Sequence, residues 1–351
     1  MGENLFDENG PLHPRRIGQD KYEMHIAIPP DESGMVGREC TNEDCSPGYF
    51  KVKPGTGITE GQTIAYCPYC RTCAEPEDFL TDAQKNYALN LLKNEAIKSM
   101  NKAIQKGLGV GPSGRKRYGG GMFSLEVSYK PSSPRIVSRP FEEELQRNIL
   151  CPHCGLEHAV FGLAVWCPDC GEDIFLTHIA EELAVIDKIL SAVDQRHTEL
   201  GARVVARDIE NSLEDLVSIY ETVLKLVTRR HLSRLGIAPE EVSNIMENKI
   251  RNQYQNIDNS ANTFKQFVGL DIFENIDEKD VDYLRITFEK RHPITHNLGI
   301  IDRKYLQRIR SGELEGREVR VSVDELQRAI SVVNKVLASV YERWNVTEKK
   351  P

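Results

Sequence analysis

The sequence predicts a mainly α-helical protein, with a C-terminal four-helix bundle and two small β modules in the N-terminal half. Beyond residue 200, apolar residues recur at alternating intervals of three and four, which places them on one face of each helix. Before residue 175, cysteines occur in closely spaced pairs next to short strand-like segments. The chain has 351 residues, 40% of them hydrophobic. It is therefore long enough for about two or three domains with sizeable cores.

The predicted bundle covers residues 200–346 and has a long helix at each end. The first helix follows Val205, and its apolar seam comprises Ile209, Leu213, Leu216, Tyr220, Val223 and Val227. The last helix has the seam Val323, Leu326, Ile330, Val333, Leu337, Val340 and Trp344. Ser322 and Glu325 have the spacing of a capping box before that helix. Shorter apolar segments around Phe264 and Leu284 predict the second and third helices.

The segment from Arg291 to Asn297, RHPITHN, carries the groups that suggest chemistry. An arginine can hold phosphate oxygens, and a histidine can accept or donate a proton near neutral pH. Pro293 lacks an amide proton and disfavours helical dihedrals at His292, so the preceding helix should end or kink here. A bend could bring Arg291 and His296 towards one phosphate, although two histidines at a helix end can also simply contact terminal carbonyls.

This segment resembles the signature of the HEPN superfamily, in which an arginine is followed by four to six residues and then a histidine. The resemblance includes the polar residue after the arginine, His292, and the residue after the second histidine, Asn297. It implies an up-and-down helical bundle that cleaves RNA without a metal, leaving a 2′,3′-cyclic phosphate. Arg291 would hold the scissile phosphate and His296 would transfer protons, with His292 and Asn297 orienting or assisting.

The resemblance also implies partners and a biological role. Members of this superfamily usually pair two motifs across a two-fold interface, so we expect a homodimer with a composite site that acts on an RNA substrate. Many relatives are toxins or anti-phage defence effectors, and a regulatory protein partner is therefore a further expectation. A family member that has lost catalysis and kept a binding role is an alternative that the sequence leaves open.

Eight cysteines have the spacing of zinc ligands. Cys151-x-x-Cys154 and Cys167-x-x-Cys170 form two knuckles typical of a zinc ribbon. Upstream, Cys40 and Cys45 make a looser pair and Cys67 and Cys70 a regular one. We predict Zn²⁺ at two structural sites, with iron as the second choice of metal. Four thiolates leave no open coordination position, so neither site should activate water.

Three residues leave the ligand sets open in detail. Cys73 is the ninth cysteine, and it could replace Cys70 or have no part in the site. His153 and His158 are possible substitute ligands for the second ribbon.

Segments 49–53 and 63–66 predict two strands joined by a turn at residues 54–57, as in a ribbon.

Residues 100–140 carry many cations and a single acid, Glu126, although the whole chain has a net charge of −8. The basic residues are Lys102, Lys106, Arg115, Lys116, Arg117, Lys130, Arg135 and Arg139. This segment could follow a phosphate backbone or be a solvated linker. A non-catalytic protein whose ribbons and bundle bind nucleic acid or a protein is thus the main alternative to the nuclease.

These observations predict five segments along the chain. They are an N-terminal zinc ribbon plus helix (1–106), a basic linker with a short strand (107–140), a second zinc ribbon (141–175), a connecting helix (176–199) and the HEPN-like bundle (200–346). The connecting helix could dock on the bundle or extend a dimer interface. No run of residues is long and apolar enough for a membrane span, and the N-terminus has no signal core. We therefore expect a cytoplasmic protein.

Overall fold

The structure is a computed structural model with two compact units, Met1–Ile174 and Phe175–Pro351. It describes residues 12, 14–18, 21–111, 114–120, 123–134, 136–145, 147–309 and 312–348, with backbone only at 347 and 348. Small antiparallel sheets lie in the first unit and helices dominate the second. The predicted class, helical with small cysteine-bearing β segments, is confirmed at this level.

The first unit contains short strands and one long helix. Its strands are β1 (Arg15–Arg16), β2 (Tyr22–Glu23), β3 (Val36–Glu39), β4 (Tyr49–Val52), β5 (Ala65–Tyr66), β6 (Cys73–Ala74), β7 (Arg115–Tyr118), β8 (Leu125–Ser128), β9 (Arg147–Leu150) and β10 (Glu157–Val160). A 3₁₀ turn at Pro76–Phe79 precedes helix α1 (Asp82–Gly107). Thr81 and Gln84 cap α1 reciprocally, side chain to backbone, which stabilises the helix start.

Both cysteine segments build one sheet, in the order β3-β4-β10-β9. Strand β4 comes from the first segment and β10 from the second, and Phe50 lies opposite Val160 in their register. The predicted strands at 49–53 and 63–66 both form, but they do not pair with each other, because β5 pairs with β6 instead. The sequence predicts a ribbon hairpin from these two strands. The wide gap from Cys45 to Cys67 lets β4 pair with β10 of the second cysteine segment instead.

The two regular knuckles are also joined directly. The Tyr66 amide donates to the Pro168 carbonyl at 2.8 Å, and the Val165 amide donates to the Pro68 carbonyl at 2.9 Å. The apolar side chains of both segments share one buried cluster, which contains Phe50, Phe79, Ile149, Leu156, Val160, Ala164 and Ile174 together with the cysteines. Segments that the sequence analysis separated as 1–106 and 141–175 are therefore one structural unit.

The second unit consists of helices. They are α2 (Phe175–Ser191), α3 (Val193–Leu200), α4 (Ala202–Arg234), α5 (Pro239–Asn244), α6 (Ile257–Val268), α7 (Glu278–Glu289), α8 (Arg291–Asn297), α9 (Arg303–Arg308) and α10 (Val323–Glu348). A π-helical turn at Ile245–Ile250 and a 3₁₀ turn at Gln253–Gln255 lead from α5 to α6. The four predicted bundle helices correspond to α4, α6, α7 and α10.

The core of this unit lies between α4 and the later helices. Tyr220 of α4 meets Phe288 of α7 edge-on, with ring centroids 5.3 Å apart, and its hydroxyl bonds Ser260 of α6 at 2.8 Å. The seam residues of α4 from Leu213 to Val227 are buried, as the periodicity predicts. These contacts remove large apolar side chains from water while pairing their hydroxyl groups.

Helix α2 packs on α4 and α10, which is the docking on the bundle that was one of the two expectations for the connecting helix. Its stripe of Ile179, Leu183, Ile186 and Leu190 is buried, and Phe175 stacks near Tyr341 with centroids 4.5 Å apart. The helical unit therefore begins at Phe175, about 25 residues before the predicted bundle boundary. A stripe of four large apolar side chains explains this, because it needs a partner surface within the same unit.

The start of α10 uses only half of the expected capping box. The Ser322 hydroxyl accepts the amide of Glu325 at 3.1 Å. The Glu325 carboxylate instead accepts from Lys290 at 2.8 Å, which ties α10 to the residue between α7 and α8. Among the described residues, no helix has the length and apolar content needed to cross a membrane.

Leu213→Ala should lower the free energy of unfolding of the helical unit by about 2–5 kcal/mol, because it leaves a cavity at a fully buried seam position. The measurement is a urea titration followed by the fluorescence of buried Trp344, with Trp166→Phe in every variant. Leu200→Ala is the matched control, since Leu200 is 53% exposed, and it should change the free energy by less than about 0.5 kcal/mol. Equal losses for the two variants would contradict the assigned seam.

Candidate functional site

The predicted break next to Pro293 is present. Helix α7 ends at Glu289, and α8 runs from Arg291 to Asn297, so Pro293 lies in the first turn of a new helix. A first-turn residue needs no amide proton for the helix, which is why proline is tolerated there. The expectation that Pro293 forces His292 out of helical dihedrals is wrong, because His292 is helical within α8.

A cavity of about 530 Å³ lies in front of this junction. Arg291, His292 and His296 line it, and they therefore meet in one place as the motif predicts. Its remaining lining is polar apart from Phe288 and comprises Asn252, Gln255, Asn256, Asp258, Asn259, Arg285, Glu289 and Arg308. Asn297 is not part of this lining; its side-chain amide donates to the Ile300 carbonyl at 2.7 Å and holds the end of α8.

A chain of hydrogen bonds fixes the Arg291 guanidinium. Its Nη1 donates to Oε1 of Gln255 at 2.9 Å, and Nε2 of Gln255 donates to Glu221 at 2.8 Å. Glu221 in turn pairs with Lys225 at 2.6 Å. Because Gln255 has an acceptor on one side and a donor on the other, this chain sets the direction in which its amide points. Arg291 is thereby held at the cavity wall. Its bond to Gln255 uses Nη1.

The two histidines of α8 are neighbours on the cavity wall. Their ring centroids are 5.1 Å apart, as expected for residues separated by one helical turn. Burial lowers the pKa of His292 below its ordinary value, and the cations Lys304 and Arg308 lower that pKa further. His292 is consequently a neutral imidazole at pH 7, which can accept a proton. His296 is the more exposed of the two.

The two carboxylates of the cavity are neutralised by partners. Glu289, the last residue of α7, accepts from Arg308 at 3.0 Å and from the Asn256 side chain at 2.5 Å. Asp258 accepts from Arg285 at 3.0 Å. Arg285 also pairs with Asp282, which lies outside the lining. Of the three lining guanidinium groups, Arg291 is the one whose hydrogen-bond partner is a neutral amide, so its charge is available to an anionic ligand.

Helix α8 is also attached to the long helix α4. The Thr295 hydroxyl donates to the carboxylate of Glu214 at 2.6 Å. After Asn297 the chain turns at Leu298, whose φ of 50° is left-handed, and the amide of Gly299 donates back to the Pro293 carbonyl at 2.8 Å. Both ends of this short helix are therefore held in place.

Sequence reasoning missed Gln255, Glu289 and Asn256 as parts of the site. Glu289 adjoins the motif, and Gln255 belongs to an amide-rich run, NQYQN, at residues 252–256. These features were visible, but nothing in the sequence links residue 255 to residue 291.

The eight predicted cysteines form two groups of four, and each group could hold a metal ion. In the first group Cys40 lies 3.6 Å from Cys70 and Cys45 lies 3.6 Å from Cys67, sulfur to sulfur. In the second group the distances are 3.8 Å for Cys151–Cys170 and 3.5 Å for Cys154–Cys167. Tetrahedral sulfur ligands at about 2.3 Å from a zinc ion are themselves about 3.8 Å apart, so both groups fit such an ion.

The open questions about substitute ligands are settled by position. Cys70, not Cys73, belongs to the first group, since Cys73 lies on strand β6 opposite Tyr66. His158 is buried in β10 opposite Val52, and a ring nitrogen of His153 contacts the Asp173 carbonyl at 3.3 Å. Neither histidine is a member of the cysteine groups.

No protein-family model, no curated protein and no solved structure matches this chain. The resemblance to the HEPN superfamily therefore depends on the Arg291–Asn297 segment and on the helices that present it.

Cys151→Ser should reduce the metal content by about one ion per chain, because three thiolates and a hydroxyl make a much poorer site. The measurement is metal analysis by inductively coupled plasma mass spectrometry on purified, extensively dialysed protein. Cys73→Ser is the matched control and should retain the full metal content. An equal loss in both variants would contradict the assigned groups.

Proposed function

We propose that this protein is a HEPN-like endoribonuclease that cleaves RNA by attack of the 2′-hydroxyl on the adjacent phosphate. The observation that carries the proposal is the convergence of Arg291, His292 and His296 on one cavity, where the Arg291 guanidinium bonds a neutral amide. A phosphodiester placed there would have a cation for its oxygens and two imidazoles for the proton transfers that cleavage requires.

The proposed roles follow from the surroundings of each group. Neutral His292 accepts the proton of the 2′-hydroxyl as that oxygen bonds to phosphorus. His296, at the open side, donates a proton to the 5′-oxygen as its bond to phosphorus breaks. Arg291, held by Gln255, stabilises the negative charge on the phosphate oxygens in the transition state. The products are a 2′,3′-cyclic phosphate and a 5′-hydroxyl. Asn297 acts at a distance by holding the end of α8.

The cysteine groups have a structural role in this proposal. We infer that each holds Zn²⁺, since four sulfur ligands in tetrahedral spacing favour that ion. With all four positions taken by protein, such an ion stabilises the fold and leaves no position for a reacting water. The ions therefore have no part in the cleavage step.

Oligomeric state and biological role follow from the resemblance. We infer a homodimer in which two copies of the Arg291–His296 motif approach each other, because superfamily members usually combine their motifs this way. We also infer a role as a toxin or anti-phage effector. Sedimentation velocity tests the first inference, and growth arrest on induced expression in a bacterial host, lost in the His296→Ala variant, tests the second.

Arg291→Ala and His296→Ala should each lower the rate of RNA cleavage by about 10²–10⁴-fold, the usual contribution of a proton-transfer or charge-stabilising group. The assay follows a labelled single-stranded RNA on a denaturing gel. The 5′-hydroxyl of the products is identified by labelling with a polynucleotide kinase. A 5′-hydroxyl end is labelled without prior phosphatase treatment, whereas a 5′-phosphate end is not.

Matched controls are His197→Ala and Arg303→Ala, which remove an exposed histidine and an exposed arginine elsewhere in the helical unit. Both should keep full activity. RNA binding without cleavage by the wild-type protein would instead support the alternative of a binding module. Equal loss of activity in the controls would refute the assignment of the two residues.

The pH dependence of cleavage should reflect the lowered pKa of His292. Removing a nearby cation makes the protonated imidazole less unfavourable, so Lys304→Gln should raise the His292 pKa. The acid limb of the kcat/KM profile should therefore move to higher pH, and cleavage near pH 6 should slow. NMR titration of the imidazole signals measures the pKa directly. Lys279→Gln, an exposed lysine on α7, is the control and should leave the profile unchanged.

A further inference from the structure

The basic segment after α1 forms a hairpin and is attached to that helix. Strands β7 and β8 pair with Arg115 opposite Ser128 and Tyr118 opposite Leu125. The Tyr118 hydroxyl donates to the Leu108 carbonyl at 2.7 Å, and the Tyr129 hydroxyl donates to the Asn101 side chain at 2.6 Å. Asn101 also donates to the Ser132 carbonyl at 2.9 Å. The interpretation of this segment as a solvated linker does not account for these bonds.

The strand register separates the hairpin into two faces. Lys116, Tyr118, Leu125 and Val127 share the face that contacts the end of α1, and the Lys116 ammonium lies 4.8 Å from the Tyr118 ring. Arg115 and Arg117 are on the opposite face, and both are exposed. Two residues apart on a strand, they are about 7 Å from each other, comparable with neighbouring phosphates in an extended nucleic acid strand.

An exposed aromatic ring lies beside these cations. Phe123, in the connection between the strands, is 86% exposed. The Arg117 guanidinium bonds the hydroxyl of Ser124, the residue after Phe123, at 2.9 Å, so the backbone that carries the ring lies close to Arg117. Lys130 adds an exposed cation beyond β8. Glu126, the only acid in the described part of residues 100–140, lies opposite Arg117, so this face carries two arginines and one carboxylate. Arg135, counted with this basic segment, lies outside the described residues.

We propose that hairpin β7–β8 is a binding surface for single-stranded RNA, in which Arg115 and Arg117 contact phosphates and Phe123 stacks on a base. Cations that follow the backbone, combined with an exposed ring, are what single strands require, because their bases are available for stacking. The choice of RNA over DNA rests on the proposed function. The surface itself depends only on charge, exposure and the ring.

The test measures the dissociation constant of a labelled, mixed-sequence single-stranded RNA of about 15 nucleotides by fluorescence anisotropy. All proteins are full-length and carry His296→Ala, so that cleavage cannot affect the signal. Arg115→Gln with Arg117→Gln should weaken binding by about tenfold or more. The slope of log K against log salt should fall by about 1.4, since each phosphate contact in a single strand contributes about 0.7.

The matched control is Lys85→Gln with Lys93→Gln, which removes two exposed lysines from the other part of α1. It changes net charge equally and should alter the dissociation constant by less than about twofold. Phe123→Ala should weaken binding by about fivefold or more without changing the salt slope, because a stacking contact releases no counterion. Circular dichroism verifies that each variant is folded.

Three results would overturn the proposal: unchanged binding by the hairpin variants, equal weakening in the lysine control, or duplex RNA bound as tightly as the single strand. Equal affinity for single-stranded DNA of the same sequence supports the surface, since neither contact reads the 2′-hydroxyl. Hairpin-dependent binding by a wild-type protein that cleaves no RNA would refute the proposed function and leave this surface in place. RNA cleavage by the wild-type protein, together with unchanged RNA binding by the hairpin variants, would support the proposed function and refute this surface.

Discussion

The geometry of the site depends on one backbone constraint, the missing amide proton of Pro293. A continuous helix through this residue would lose a hydrogen bond and bring the ring against the preceding turn. The chain instead ends α7 at Glu289 and starts α8 at Arg291. Arg291, His292 and His296 all belong to the new helix α8, where the two histidines lie one turn apart. All three residues line one cavity.

Side chains at and next to the α7–α8 junction bond to α4, α6, α9 and α10, and these bonds fix the position of α8. Glu289 connects the end of α7 to the start of α6 through Asn256 and to α9 through Arg308. Lys290 pairs with Glu325 at the start of α10, and Thr295 bonds Glu214 on α4. A short helix has little stability of its own, because few backbone bonds offset the cost of its nucleation. Helix α8 therefore depends on these side-chain contacts for its position.

The sequence predicted those features that leave a periodic or local trace. The seams of α4 and α10, the break beside Pro293 and the membership of the eight cysteines were all visible, because burial and ligand spacing restrict residue type at fixed intervals. The bond from Arg291 to Gln255 and the pairing of β4 with β10 were not. Each joins residues far apart in the chain and depends on tertiary packing, which imposes no spacing rule. Helix α2 was correctly predicted as a helix, but the sequence did not decide between docking on the bundle and extending a dimer interface.

The interlocked knuckles have a thermodynamic consequence for the cysteine groups. Tyr66 and Pro168 bond across the two segments, as do Val165 and Pro68, and both groups share the same buried side chains. An ion bound at one group thus stabilises a backbone that the other group also needs. Two ligands that bind to one cooperatively folded state are positively linked. With zinc as the ligand, an ion in one group should raise the affinity of the other group for its own ion, and loss of one ion should weaken the second site without emptying it.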